Sequence, residues 1–292
     1  MSKQGNNSSA SQEIIECMKA VDDLPHSPAA LVKLEKELAT NPDVNIGEIV
    51  LLVAQDPSLA AGIIGVVNSA KYTTGKLVSD LNEAIVRVGV KDVRAMAHAI
   101  NYKSSIRRKP PFGEVEFLRH ALVSAFISQN LAKHLKLNKG EAFLCGLMHD
   151  MGAYLLAVED RDKYVQVIKL VGFEIDKLVS SESRIYGTHH AMMGARLLKE
   201  WNFSQKVIMG VAFHHAPNLA EDRFKDYAYL TCLAEQGTFR VGVENGIADL
   251  SDEDRETPSI FLLSALSYFD LSLEVFDKLA QEGIDEVGLV GM

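Results

Sequence analysis

From Ile14 onward the apolar residues of this chain recur at spacings of three and four, and almost no stretch alternates apolar with polar. That spacing lays one apolar stripe along a helix and does not fit the two-residue repeat of a strand, so the pattern predicts an all-α fold. Several helix starts are written openly. Asp56 followed by Pro57 offers a capping oxygen and a preset φ ahead of Leu59, Ile63, Ile64 and Val67. Ser79 and Asp80 do a similar job before Ala84, Ile85 and Val88. Gly89 stops that helix, and another follows through Val93, Met96, Ala97 and Ile100.

Pro110, Pro111 and Gly113 interrupt the pattern and divide the chain into an N-terminal lobe, 13–112, and a second lobe, 113–250. The acidic stretch 251–257 marks a further loop. Beyond it, residues 251–292 form a C-terminal helical extension, with a helix over 260–269 and a last one through Leu273, Val275 and Leu279. Residues 2–12 hold Gly, Asn, Ser and Gln with almost no apolar surface to offset ordering entropy, and read as a disordered tail. At 292 residues and 47% apolar, the chain has material for a large core or two adjoining ones.

Composition narrows the classes. No segment after Met1 has the regions of a signal peptide, and no apolar run approaches the ~18 residues of a membrane span, so the expectation is a cytoplasmic protein without membrane contact. Cys17, Cys145 and Cys232 are sparse and set among apolar neighbours, as reduced core thiols would be. A net charge of −9 argues against a surface built to neutralise phosphates. The basic run Lys103, Arg107, Arg108, Lys109 leads into the prolines and reads as a solvated, exposed linker. Residues 84–97, with Arg87, Lys91 and Arg94, have the outline of a helix-turn-helix. Short helix pairs are common in all-α proteins, however, and the acidic chain disfavours a nucleic-acid partner.

Seven of the nine histidines fall in the second lobe: His120, His134, His149, His189, His190, His214 and His215. Imidazole with carboxylate suits a divalent transition metal, so His149 beside Asp150, with the pairs at 189–190 and 214–215, are candidate ligands. Adjacent residues on a helix point about 100° apart, so each pair serves a common centre best from a helix end. Gly152, Gly187 and Pro217 place all three pairs at such ends. The same placement serves histidines that merely hydrogen-bond carbonyls at helix termini, and the residues alone do not choose between the two.

The segment Gly146-Leu147-Met148-His149-Asp150-Met151-Gly152 resembles the signature of the HD phosphohydrolase superfamily. Around it stands a longer ordered series: Leu24-Pro25-His26-Ser27-Pro28, Asp56-Pro57-Ser58-Leu59, Val67-Asn68-Ser69-Ala70 and residues 84–89. Glu182, Tyr186-Gly187-Thr188-His189-His190, Gly194-Ala195, Leu197-Leu198, Trp201 and His214-His215-Ala216-Pro217 follow. This series, from Leu24 to Pro217, resembles the HDOD family. The resemblance implies a helical bundle of two packed lobes, the C-terminal one HD-domain-like, and a part in bacterial signal transduction, in a family where most members have no demonstrated hydrolase activity.

Carried over residue by residue, the resemblance implies a metal set of His120, His149, Asp150 and a later acid, for which Glu235 stands where an aspartate is expected. His190, His214 and His215 match additional histidines of the HD-GYP relatives. The extra methylene of Glu235 is expected to displace its carboxylate beyond a metal–ligand tolerance of ~0.2 Å unless the backbone shifts. The HD-GYP lysine after the HD pair is replaced by Ala153, and the Gly-Tyr-Pro segment by Pro217-Asn218-Leu219. The expectation is therefore a regulatory protein that binds a protein partner or a small signalling molecule, with a divalent transition metal compatible with its residues and no catalytic residue assigned. The alternative is a metal-dependent phosphohydrolase. Asn68, Ser69 and Tyr72 are candidate binding residues, with helix capping and packing as their simpler roles.

Overall fold

A computed structural model of the chain describes residues 29–41, 44–55, 57–68, 78, 80–105, 109–172, 174–200, 203–250, 255 and 257–290. The tail 2–12, Cys17, the motif 24–28, Asp56, Ser69, Ala70, Tyr72, Ser79, Arg107, Arg108, Trp201 and residues 251–254 lie outside the described residues.

The fold is all-α, and the one β-type pairing among the described residues is an isolated parallel bridge between Glu174 and Asp249. Helices α1 (Ala29–Thr40), α2 (Ile46–Val53), α3 (Pro57–Val67), α4 (Leu81–Val88) and α5 (Val90–Ser105) surround a small core. Leu31, Leu34, Ile49, Ile63, Ile85 and Val93 fill it. Asp80 caps α4 by accepting from the Glu83 N–H at 2.8 Å, and Gly89 ends it at φ +84°. Just past α3, Asn68 donates to the Val78 carbonyl (2.7 Å) and accepts from the Val78 N–H (2.8 Å), which gives this side chain a structural role.

Two basic residues of the α4–α5 pair are engaged within the lobe. Arg87 pairs with Glu83 at 3.0 Å, and Arg94 grips the buried Glu35 through two hydrogen bonds of 2.7 and 2.6 Å.

The second lobe comprises α6 (Glu114–His134), α7 (Lys139–Met148), α8 (Met151–Glu159), α9 (Arg161–Val171), α10 (Leu178–Tyr186), α11 (His190–Glu200), α12 (Gln205–Ala212) and α13 (Lys225–Arg240). Helices α14 (Ile260–Tyr268) and α15 (Leu273–Val290) follow. Leu262, Leu266, Phe276 and Ala280 from these last two belong to the same core as α6–α13, and α15 packs along α6. Residues beyond 257 thus complete the second core.

Two expectations need correcting. In the run read as an exposed linker Lys109 is exposed, but Pro110 is buried, as is Phe112 beyond it, whose ring packs 5.2 Å from Phe117 and 5.7 Å from Tyr164. The stretch Lys139–Glu159 reaches a mean hydropathy of 1.2, apolar enough by composition to span a membrane, whereas no such run was expected. Within the fold, 89% of that window is buried, and a turn at His149 and Asp150 divides it into α7 and α8.

Candidate metal centre

His120 stands on α6, one turn beyond Phe117, on the face turned into the core. His149 and Asp150 form the turn where α7 ends and α8 begins. The left-handed cap Gly187 stops α10, and α11 then starts at His190. His214 and His215 follow the last turn of α12, and Glu235 projects from α13. The helix-end placement expected for the pairs is therefore what delivers them to a common place.

Four imidazoles share one polarity. His120 Nδ1 donates to the Val243 carbonyl (3.0 Å), His149 Nδ1 to Gly146 (2.7 Å) and His214 Nδ1 to Val211 (2.6 Å). His190 Nδ1 donates to Glu182 Oε2 at 2.6 Å. With Nδ1 carrying the proton, the rings of His120, His149 and His214 turn the lone pair of Nε2 inward, while Nε2 of His190 meets Nε2 of His215 at 2.7 Å. The ring centroids lie 5.3 Å apart for His120–His149 and 5.4 Å for both His149–His214 and His190–His214.

The donor atoms form three overlapping groups, each within 4.8 Å: His120, His149, Asp150; Asp150, His214, Glu235; and His190, His214, His215. His120, His149, Asp150, His190, His214, His215 and Glu235 thus lie in one cluster, whereas His189, the other member of its pair, belongs to none of the three groups. Glu235 reaches it despite its longer side chain. Its carboxylate lies 3.7 Å from His215 Nδ1 and 3.9 Å from His214 Nε2.

Buried polar atoms normally find partners, and leaving one unpaired costs about 1–3 kcal/mol. Here Nε2 of His120, His149 and His214 and Oδ1 of Asp150 have no hydrogen-bond partner among the described residues. Burial, with His149 nearby, lowers His120 to about 4. Burial and the neighbouring imidazoles likewise hold His214 and His215 below their ordinary value. Burial alone would raise Asp150, but His149, His190, His120 and His214 outweigh it and keep the carboxylate ionised. Burial would lower His190, yet Glu182 and Asp150 raise it to about 9, whereas burial beside Asp150 lifts Glu235 to about 8. Most of the cluster thus has the neutral-imidazole and carboxylate character that divalent transition metals take, and a bound cation would draw the protons from His190 and Glu235.

A cleft of about 290 Å³ leads to the cluster, with His214, His215 and Glu235 at its base and Ile175, Val179 and Phe261 along its walls. Cys232 also borders it, but its sulfur belongs to none of the three donor groups. Sequence reasoning missed Asn245, which donates to Asp150 Oδ2 at 3.2 Å from a loop with no helical pattern to flag it.

An all-α bundle with a His-Asp turn at its centre is the architecture of an HD-type domain. The HDOD domain model matches residues 24–217, and the chain belongs to that family. A crystal structure of an HDOD domain protein of unknown function from Geobacter sulfurreducens superposes with a TM-score of 0.75 at 21% identity, covering 97% of this chain and 96% of that one. A protein from Shewanella amazonensis SB2B, provisionally called a phosphohydrolase, gives 0.74 at 22%, with 95% of each chain covered. A protein from Marinobacter aquaeolei VT8, provisionally called a signal transduction protein, gives 0.74 at 19%, covering 99% of this chain and 67% of that one. These likenesses establish the fold. An uncharacterized protein of Treponema pallidum (strain Nichols) is 25% identical over 210 residues, 70% of this chain, which spans only 40% of that relative's length.

Proposed function

We propose that this HDOD protein is a signal-transduction module whose second lobe holds a divalent transition metal and which acts by binding a protein partner or a small signalling ligand. The convergence of the unpartnered Nε2 atoms of His120, His149 and His214 on Asp150 carries the metal. His190, His215 and Glu235 would complete its donors. When bound, the ion supplies positive charge and Lewis acidity at the base of the cleft.

Binding is favoured over hydrolysis by the surroundings. No lysine or arginine is among the described residues lining the cleft. Ala153, where the HD-GYP relatives carry a lysine, is fully buried, and Pro217–Leu219 is a tight 3-10 turn. A DNA-reading role has little to draw on, since Arg87 and Arg94 are already held by Glu83 and Glu35.

The test is metal analysis of protein purified without chelator, followed by assay on a generic phosphodiester, each repeated with His149→Ala. The expected result is a stoichiometric metal that His149→Ala loses, with no turnover above background. Metal-free wild-type protein would remove the metal from this reading. Turnover dependent on His149 would replace the binding role with a metal-dependent phosphohydrolase, whose substrate would reach His215 and Glu235 through the cleft.

A further inference from the structure

Two buried side chains stand behind the donor cluster and contribute no atom to its three groups. Glu182, on α10, accepts through Oε2 from both the backbone N–H (2.8 Å) and the ring Nδ1 (2.6 Å) of His190, and through Oε1 from the Tyr164 hydroxyl (2.8 Å). Tyr164, on α9, sets its ring 5.7 Å from that of Phe112 in the linker between the lobes. Asn245 donates to Asp150 Oδ2 while its Oδ1 accepts from the N–H groups of Ile247 (3.0 Å) and Ala248 (2.9 Å).

The Asn245 loop also holds His120 through the Val243 carbonyl, and its Gly246 carbonyl accepts from the Gly113 N–H at 3.4 Å. Gly246 adopts φ +75°, and a Cβ there would come 2.5 Å from the Gly113 oxygen. Only glycine lets the loop lie this close to the linker. Two separate routes therefore lead from the cluster to residues 110–113. One passes from His190 through Glu182 and Tyr164 to Phe112, and the other from Asp150 and His120 through the 243–246 loop to Gly113.

We propose that Glu182 and Asn245 are positioning residues for the metal centre, and that through Tyr164 and the 243–246 loop they couple its occupancy to the linker that joins the two lobes. This rests on the metal reading above. A carboxylate on the far nitrogen of a ligating imidazole fixes the tautomer and ring plane and makes the near nitrogen a better donor. Because Glu182 holds the His190 ring and its backbone together, it also fixes where α11 begins. Coupling is reciprocal, so whatever order the linker lends to the metal site, the metal returns to the linker.

The test uses the full chain, stripped and titrated with Co²⁺, with amide hydrogen exchange followed across residues 109–118. Glu182→Gln and Asn245→Ala should each weaken Co²⁺ binding by roughly 10–100-fold, and Glu182→Gln should change the cobalt ligand-field spectrum. Tyr164→Phe and Phe112→Leu alter no group of the cluster and remove little structure. They should weaken binding several-fold and reduce the protection that metal gives to Gly113 and Phe117 in the wild type.

Variants that bind Co²⁺ as wild type does, even if their metal-free forms melt lower, would reduce Glu182 and Asn245 to structural residues and overturn the proposal. Wild-type exchange at 109–118 that metal leaves unchanged would also overturn it. Wild-type protein that takes up no Co²⁺ would instead sink the metal reading itself. If Glu182→Gln does not fold, Tyr164→Phe, which loses a single hydroxyl, still decides the matter.

Discussion

Glu35 shows at the scale of one residue how the first lobe handles a buried charge. Burial would raise its carboxyl, but hydrogen bonds from His98 and Arg94 outweigh that and hold it at about 2, below the ordinary 4.5. A depressed carboxyl pKa contributes stability above its unfolded value and loses it as pH falls through the folded one. By that linkage Glu35 adds about 3 kcal/mol at neutral pH. The contribution is complete above pH 4.5 and disappears toward about 2. His98, lowered first by burial, adds to acid sensitivity in the same direction from its ordinary 6.5 downward. Urea unfolding as a function of pH should show wild-type stability falling across that acid window, with Glu35→Gln less stable at neutral pH and flatter below pH 4.5. Arg94→Leu, which leaves the carboxylate buried without its guanidinium, should cost about 3–5 kcal/mol by the same measurement.

Among elements, the approach of α8 to α11 decides whether the donors meet. Gly152 lies against the His190 carbonyl, and a Cβ there would also come 2.6 Å from the Gly194 nitrogen. Asp150 precedes one of these helices and His190 opens the other, so spreading the pair separates two donors. Gly152→Ala should therefore lower stability by at least about 1–3 kcal/mol and weaken metal binding. Gly65→Ala is the control, because nothing lies within 4 Å of a Cβ there. In a helix that change should be neutral or stabilising by up to ~1 kcal/mol. Denaturant midpoints and metal titration of the two variants read both effects.

What the sequence displayed at this scale was local. The Asp80 cap, the Gly89 stop and the histidine pairs beside Gly152, Gly187 and Pro217 all depend on neighbours within a few positions, and each lies at the helix end the pattern implied. Asn245 and the seat of Phe112 depend on partners about 95 and 50 positions away, as the contacts of Asn245 with Asp150 and of Phe112 with Tyr164 show. Neither carries a periodic signal. Helices α7 and α8 are buried almost all round, so their apolar run has no polar face, and the turn at His149 and Asp150 is what divides it into two core helices.

For the whole molecule, the two lobes have separate cores, with Val66 of α3 packed against both. His98 of α5 also reaches across, its ring 4.5 Å from Phe203 of the second lobe. All seven metal candidates belong to the second lobe, so the ion should act on that lobe's transition first. At a thousandfold excess over its dissociation constant, a metal that binds only the folded state adds about 4 kcal/mol. For a lobe of this size each kcal/mol moves Tm by roughly 2–4 °C. Calorimetry of loaded and chelator-stripped protein should therefore show one transition displaced by about 8–16 °C. Glu35→Gln should lower the other transition, because its partners Arg94 and His98 lie wholly in the first lobe. If the linker transmits occupancy, stripping the metal should lower the first lobe's transition as well, by less than the second's. Phe112→Leu should then narrow the metal-dependent shift of the first transition without abolishing it, because the route through the 243–246 loop to Gly113 remains.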